Sequence, residues 1–331
     1  MRASILILAA SVAGLLAASA GAQTTGEHGA SILIFPKVVA DGSGDTLLQV
    51  ANLSESRVDA FCTYVDGSSG WQSAGFSIAL VAEQPLHWSA AGGRTMLDGG
   101  SANEIPAAPA DFRGELLCVE VDGSGAPSGG NRLVGRATVT TFADGDAFAY
   151  AAIGLESSGF NDGDDVLCIG GEPSDACFIG AEYSSCPDSW ILGHPGSGAP
   201  DAQLGDGATQ DTRLVIVPCS QNVRDGAPGS VQVSLQVTNE FEQSFSATAD
   251  VTCWADRSLA EISDVFTVAT LGSPTAQTRL RPTGTSGGFV VLAELERRAA
   301  GGAPASRAAL IPQQEGAAAA SDAIILPMGR P

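Results

Sequence analysis

Few residues in this chain have both the type and the spacing that chemistry needs. A serine hydrolase brings together Ser, His and an acid, often with G-x-S-x-G at a strand-to-helix elbow. That motif is absent here, and the histidines His28, His87 and His194 are scattered. His194 lies in Gly193-His194-Pro195-Gly196-Ser197-Gly198, where Gly and Pro set turns. His87 lies in Gln84-Pro85-Leu86-His87-Trp88 and reads as a surface residue at a strand edge. Paired carboxylates could serve glycoside hydrolysis. Acids are so plentiful here that their presence alone selects nothing. Asp41, Asp45, Asp144, Asp146, Asp162, Asp164 and Asp165 all fall in Gly-rich loops. Asn161-Asp162-Gly163-Asp164-Asp165 offers the dense oxygen ligands that calcium prefers, which makes Asp162, Asp164 and Asp165 weak calcium candidates. The run lacks the glutamate at the twelfth loop position of an EF-hand, and a solvated turn is the plainer reading. No other cofactor is expected. The aromatics Tyr64, Trp71, Trp88, Trp190 and Trp254 could form a carbohydrate platform, but core or rim packing is the commoner use of such residues.

The seven cysteines carry more information. Two of them with C-x-x-C spacing would point to zinc, and no such pair exists. In an oxidising compartment disulfides are the default. We expect Cys62–Cys118, Cys168–Cys186 and Cys219–Cys253, leaving Cys177 odd. The middle pair is the weakest choice, because Cys177 could replace either partner.

These residues must be positioned by strands. Residues 230–238 read S-V-Q-V-S-L-Q-V-T, so Val231, Val233, Leu235 and Val237 share one face of a pleated strand. Ala247, Ala249, Val251 and Cys253 repeat the alternation, as do Val58, Ala60, Cys62 and Tyr64. Further strands are predicted over 31–39, 46–52, 76–82, 114–121, 132–142, 147–155, 212–217, 264–270, 278–281 and 288–295. Gly, Pro, Asp and Ser clusters punctuate the gaps. No segment after the N-terminal leader shows a strong helical period, and 317–320 reads as part of a flexible tail.

The two halves of the chain look alike. Ile34-Phe35-Pro36 matches Ile216-Val217-Pro218, and Gln49-Val50-Ala51-Asn52 matches Gln236-Val237-Thr238-Asn239. Phe61-Cys62-Thr63-Tyr64 matches Val251-Thr252-Cys253-Trp254, residues 76–80 match 266–271, and Leu116-Leu117-Cys118-Val119-Glu120 matches Val290-Val291-Leu292-Ala293-Glu294. Five matches in order point to a tandem duplication. The expected fold is all-β: two tandem immunoglobulin-like β-sandwich domains, 31–155 and 212–312, with a disulfide-pinned Gly/Asp-rich connector at 156–211 and a C-terminal tail at 313–331. The full Cys–Trp–Cys signature of an immunoglobulin domain is missing.

The strings Ile32-Leu33-Ile34-Phe35-Pro36-Lys37, Cys62-Thr63-Tyr64-Val65-Asp66, Arg113-Gly114-Glu115-Leu116 and Asn239-Glu240-Phe241-Glu242-Gln243, with the segment from Gln49 to Asn52, resemble a group of secreted bacterial proteins. That group has tandem β-sandwich-like repeats and no assigned activity. The resemblance implies export and a β fold.

The chain begins as an exported protein begins. Arg2 precedes an apolar run over 5–18, and Ala20-Gly21-Ala22 fits the small-x-small rule of signal peptidase, so residues 1–22 read as a signal peptide cleaved before Gln23. The apolar run is short for a membrane span, and no later segment has 18 unbroken apolar residues. Losing the leader removes Arg2 and no acid, moving the net charge from −21 to −22. Lys37 is the only lysine. Such a surface repels nucleic acid and anionic lipid. The expectation is a periplasmic, cell-surface or extracellular protein that binds or builds, with an unidentified protein or carbohydrate ligand. The alternative is an extracellular carboxylate-based hydrolase of glycoside type on a β scaffold.

Overall fold

The computed structural model describes residues 28–67, 73–95, 104–143, 145–171, 177–284, 287–317 and 321–327. The expected signal peptide, Trp71 and Asp144 lie outside them. Strand accounts for 58% and helix for 4%, which makes the chain all-β. The strands of the first half are β1 (Ile32–Ala40), β2 (Gly44–Asn52), β3 (Val58–Asp66), β4 (Ser73–Leu80), β5 (Pro85–Ser89), β6 (Phe112–Val121), β7 (Leu133–Thr141), β8 (Ala147–Ala151) and β9 (Ile153–Leu155). Then follow β10 (Val166–Ile169), β11 (Pro187–Pro195), β12 (Ala199–Pro200), β13 (Thr209–Pro218), β14 (Gln221–Asn222), β15 (Ser230–Asn239), β16 (Ser244–Thr252) and β17 (Ala255–Ser258). The last are β18 (Thr275–Pro282), β19 (Phe289–Arg298), β20 (Pro304–Leu310), β21 (Gln313–Ala317) and β22 (Asp322–Ile325).

In the first half the strands run β4-β3-β6-β1-β2-β7-β8, with β9 on β1 and β5 on β2. β1 and β2 meet only at Ala40 opposite Asp45, so the sheet folds there into two leaves. The leaves face each other: the Trp88 indole on β5 donates to the Tyr64 hydroxyl on β3 at 2.7 Å, and both side chains are buried. Beyond residue 186 two five-stranded sheets form, β16-β15-β18-β11-β21 and β12-β13-β19-β20 with β17 on β13. Trp190 of β11 ties them by donating to the Phe289 carbonyl at 2.9 Å. Alternation explains the burial: Val231, Val233, Leu235 and Val237 of β15 are all buried while their neighbours point outward. Burying each such side chain contributes roughly 1.5–3 kcal/mol.

The central pairings of the two halves share a register. Ile34 of β1 lies opposite Leu117 of β6, and Ile216 of β13 lies opposite Val291 of β19. These are the positions the sequence matches equate. Beyond that core the halves diverge. β3 flanks β6 in the first half, whereas β20 flanks β19 in the second and β16 pairs with β15 instead. The segment matched to β4 is not a strand. Residues 264–270, predicted extended, form a 3-10 turn at Asp264–Phe266 and a helical turn at Val268–Leu271. The side chains of Ser263 and Thr267 cap these turns, accepting from Val265 and Thr270 amides, and local capping outweighs the alternation.

The connector and the tail are built into the sheets. β11 sits between β18 and β21, and the expected boundary at 211 falls inside β13. β21 comes from the tail, and so does β22, which pairs with β10 of the connector and β14. The disulfides follow this arrangement. Cys62–Cys118 forms between directly opposed residues of β3 and β6, as expected. The other two pairings differ: Cys168 joins Cys177, and Cys186 joins Cys219, with Cα atoms 5.5 and 6.4 Å apart. Cys168–Cys186 and Cys219–Cys253 do not form. Cys186 directly precedes β11 and Cys219 directly follows β13, which brings them together, whereas Cys253 directly follows β16, three strands away from β11 at the edge of its sheet. Its buried thiol lies 3.4 Å from the Asp66 carbonyl.

Candidate functional site at the seam between the halves

The two halves meet along a seam that starts at a defect in β1. Register shifts between Phe35 and Val38, so Pro36 and Lys37 bulge out of the ladder. Proline lacks the amide hydrogen a ladder requires, and a bulge re-aims the side chain that follows. Here that side chain is Lys37, which is 3% exposed. Its ammonium contacts Glu294 of β19, and Asp256 of β17 at 3.1 Å. Arg213 of β13 donates to Asp256 at 2.7 Å. The Tyr150 hydroxyl of β8 accepts from the Lys37 amide at 3.2 Å and donates to the Lys37 carbonyl. Burial raises the Tyr150 phenol, so it stays protonated. Burial opposes ionisation of Asp256, but Lys37 and Arg213 beside it hold its carboxyl below the usual range. Burial pushes Glu294 the other way despite Lys37, and its second oxygen has no hydrogen-bond partner. The Trp254 indole crosses the same seam to the Pro36 carbonyl at 2.7 Å.

Beside this network lies a groove of about 580 Å³. Pro36, Ile153, Trp190, Leu292, Leu310 and Ile311 supply much of its apolar wall, and Tyr150 and Gln314 its polar side chains. Among the described residues no carboxylate, imidazole, thiol, amine or guanidinium lines it. Ile311 is 86% exposed, an unusual position for a large apolar side chain.

The residues singled out from the sequence are dispersed. His194 is buried in β11. The Pro195 carbonyl, 2.9 Å from Nδ1, fixes the hydrogen on that nitrogen, so Nε2 accepts from the Thr278 hydroxyl at 2.7 Å. Burial lowers its pKa and keeps the imidazole neutral. His87 is exposed on β5. Asp162 and Asp164 close Asx turns, accepting from the amides of Asp164 and Val166. Among the described residues no group of three or more His, Cys, Asp or Glu side chains is arranged to hold a metal, so Asp162, Asp164 and Asp165 are not gathered into a site. Tyr64 and Trp88 are core, Trp254 spans the seam, and of the five aromatics Trp190 alone lines the groove among the described residues.

Sequence reasoning missed Lys37, Asp256 and Glu294 as a unit. The available signal was a single charge inside Ile32–Ala40, whose other residues are nearly all apolar and all buried. A lysine in such a strand needs partners.

Comparisons with known proteins add little. No family model and no curated protein matches the chain. A crystal structure titled Thermotoga maritima 1070 is 13% identical, spans 40% of this chain and 98% of its own, and superposes with a TM-score of 0.26. The apo lectin of Pleurotus ostreatus is 11% identical over 94% of this chain and 86% of its own, with a TM-score of 0.19.

Proposed function

We propose that this chain is an exported, non-enzymatic binding protein, built from two related immunoglobulin-like sandwiches, that takes an apolar ligand in the seam groove. The lining of that groove carries the reading. Its volume lies within the range of small-ligand sites, about 300–1,000 Å³. Its polar side chains can orient a ligand, but none can serve as an acid–base pair near neutral pH, since Tyr150 is committed to Lys37. The two carboxylates of the adjacent network, Glu294 and Asp256, are engaged with Lys37. The common register of β1/β6 and β13/β19 supports duplication, and three disulfides fit an oxidising compartment. No helix of the described residues is long and apolar enough to cross a membrane.

The test pairs binding with turnover. An environment-sensitive apolar dye should bind the purified protein, and Ala151→Trp, which places an indole in the groove wall, should abolish binding with circular dichroism unchanged. Panels of ester, peptide and glycoside substrates should show no turnover. Turnover that vanishes on replacing one carboxylate would establish the hydrolase instead.

A further inference from the structure

A second polar contact crosses the seam, and its hydrogen bonding is incomplete as an ionised pair. Glu115 lies on β6 opposite the Pro36–Lys37 bulge, and Gln221 lies on β14. They are 1% and 4% exposed. One Gln221 amide nitrogen serves two acceptors, Glu115 Oε1 at 2.5 Å and the Pro218 carbonyl at 3.1 Å. That uses both of its hydrogens. The remaining oxygen of each side chain, Glu115 Oε2 and Gln221 Oε1, is buried with no hydrogen-bond partner. Both are acceptors, so as an ionised pair they cannot satisfy each other. Each orphan would cost roughly 1–3 kcal/mol, more for a charged group.

A single proton resolves both. A planar carboxylic acid and a planar primary amide close an eight-membered ring of two hydrogen bonds, N–H to one carboxyl oxygen and O–H from the other to the amide oxygen. We infer that Glu115 is held as a neutral carboxylic acid in such a ring with Gln221, and that the ring is a base-labile latch between the first half and β14. This inference is independent of the groove's role. Losing the proton to water leaves one hydrogen bond, two orphaned oxygens and a buried charge.

The charge environment agrees. The titratable groups on β6 and the elements around it are Arg113, paired with Asp41, and Glu120, paired with Arg132; Asp59, Tyr64 and Asp66 of β3; Asp322 of β22; and Lys37 of β1 with its partners Asp256 and Glu294. Lys37 is held by the last two and is not free to neutralise a third carboxylate. Burial pushes the Glu115 carboxyl up to about 8, with the Gln221 amide pulling weakly the other way. Its folded value therefore lies above its unfolded value of 4.5. The latch stabilises fully at low pH, and its contribution is lost as pH rises from about 4.5 to about 8, by at most ~3 × 10³-fold in the folding equilibrium.

Infrared titration of the intact protein tests this. Wild type minus Glu115→Gln should show the carbonyl stretch of a protonated carboxylic acid at pH 6, vanishing above about pH 8. Glu115→Gln keeps two hydrogen bonds, so its denaturant midpoint should fall less than the wild-type midpoint between pH 5 and 9. A difference spectrum without that band, or equal falls in both proteins, would overturn the latch. If Glu115→Gln does not fold, Gln221→Met serves: it should shift the same band to that of an unbonded acid, and an unshifted band overturns the ring.

Discussion

Glu120 and Glu294 occupy matching places in the two halves and solve the same problem in different ways. Each is a buried glutamate on the central strand of its half, β6 or β19. Glu120 is satisfied locally: Arg132 donates through Nε at 2.7 Å and through a second nitrogen, and Ser128 adds a longer bond at 3.3 Å. Glu294 takes its hydrogen bond from Lys37, which belongs to the other half, and its second oxygen has no partner. The aromatics repeat the contrast. Tyr64 accepts from Trp88 inside the first half, while Trp254, its sequence counterpart, donates across the seam to Pro36. At these two matched positions the first half uses its own residues, and the second reaches across the seam. Two polar side chains directed across the seam thus join the two halves into one interdependent body.

Lys37→Met gives that contrast its sharpest test. It strips the cation from two buried carboxylates, Asp256 and Glu294, with Arg213 left to serve only the first. Removing one partner of a buried ion cluster costs ~3–5 kcal/mol, because the remaining charge stays desolvated. Denaturant unfolding should show that loss, and a loss below about 1 kcal/mol would mean the seam network is dispensable.

Second in size is the double change Cys62→Ala with Cys118→Ala. The bridge spans 56 residues within the first half, and its loss should lower stability by ~2–4 kcal/mol. The matching position in the second half is Leu292, so no equivalent bridge exists there. Unfolding monitored residue by residue through hydrogen exchange should weaken first in β3 and β6. Uniform weakening across both halves would show that they unfold as a single unit.

Arg132→Met is the local counterpart of Lys37→Met and is expected to do less, ~1–3 kcal/mol. Arg132 keeps 29% of its side chain in water, so solvent can enter and partly hydrate Glu120 once the guanidinium is gone. An effect equal to that of Lys37→Met would erase the distinction between a carboxylate satisfied within its half and one held across the seam.

How much of this the sequence disclosed follows from what each residue needs locally. Strands with strict alternation, such as β15 and β3, are written in their own residues, because one face must be buried whatever lies opposite. β11 and β20 were not readable: Pro187–Pro195 contains Gly193 and two prolines, and Pro304–Leu310 is mostly small residues, so long-range pairing creates them. Cys62–Cys118 was legible from two strands of one half, but the partner of Cys219 was not, since Cys186 meets it only after β11 and β13 have found their sheets. Glu115 stood out in the resemblance strings, but its partner Gln221 sits in a two-residue strand with no pattern of its own. The groove is the least legible feature, as its walls come from both halves and its apolar residues look like any core.

The smallest expected effect separates packing from polarity at the seam. Trp254 is half-buried, so Trp254→Phe removes an indole nitrogen and some ring area without opening a deep cavity. The lost hydrogen bond to the Pro36 carbonyl is worth ~0.5–1.5 kcal/mol. Trp88→Phe makes the same chemical change inside the first half, where Trp88 is 2% exposed and packs against Phe76 at 5.9 Å between ring centroids. There the missing ring area leaves a void, so its effect should exceed that of Trp254→Phe. The two variants should also differ in coupling. Trp254→Phe combined with Lys37→Met should lose less than the sum of the single losses, because both act on one contact surface around Pro36 and Lys37. Trp88→Phe with Lys37→Met should be additive, since Trp88 bonds within its own half. Additivity in both cycles would mean that the indole bond and the ion network hold the seam independently.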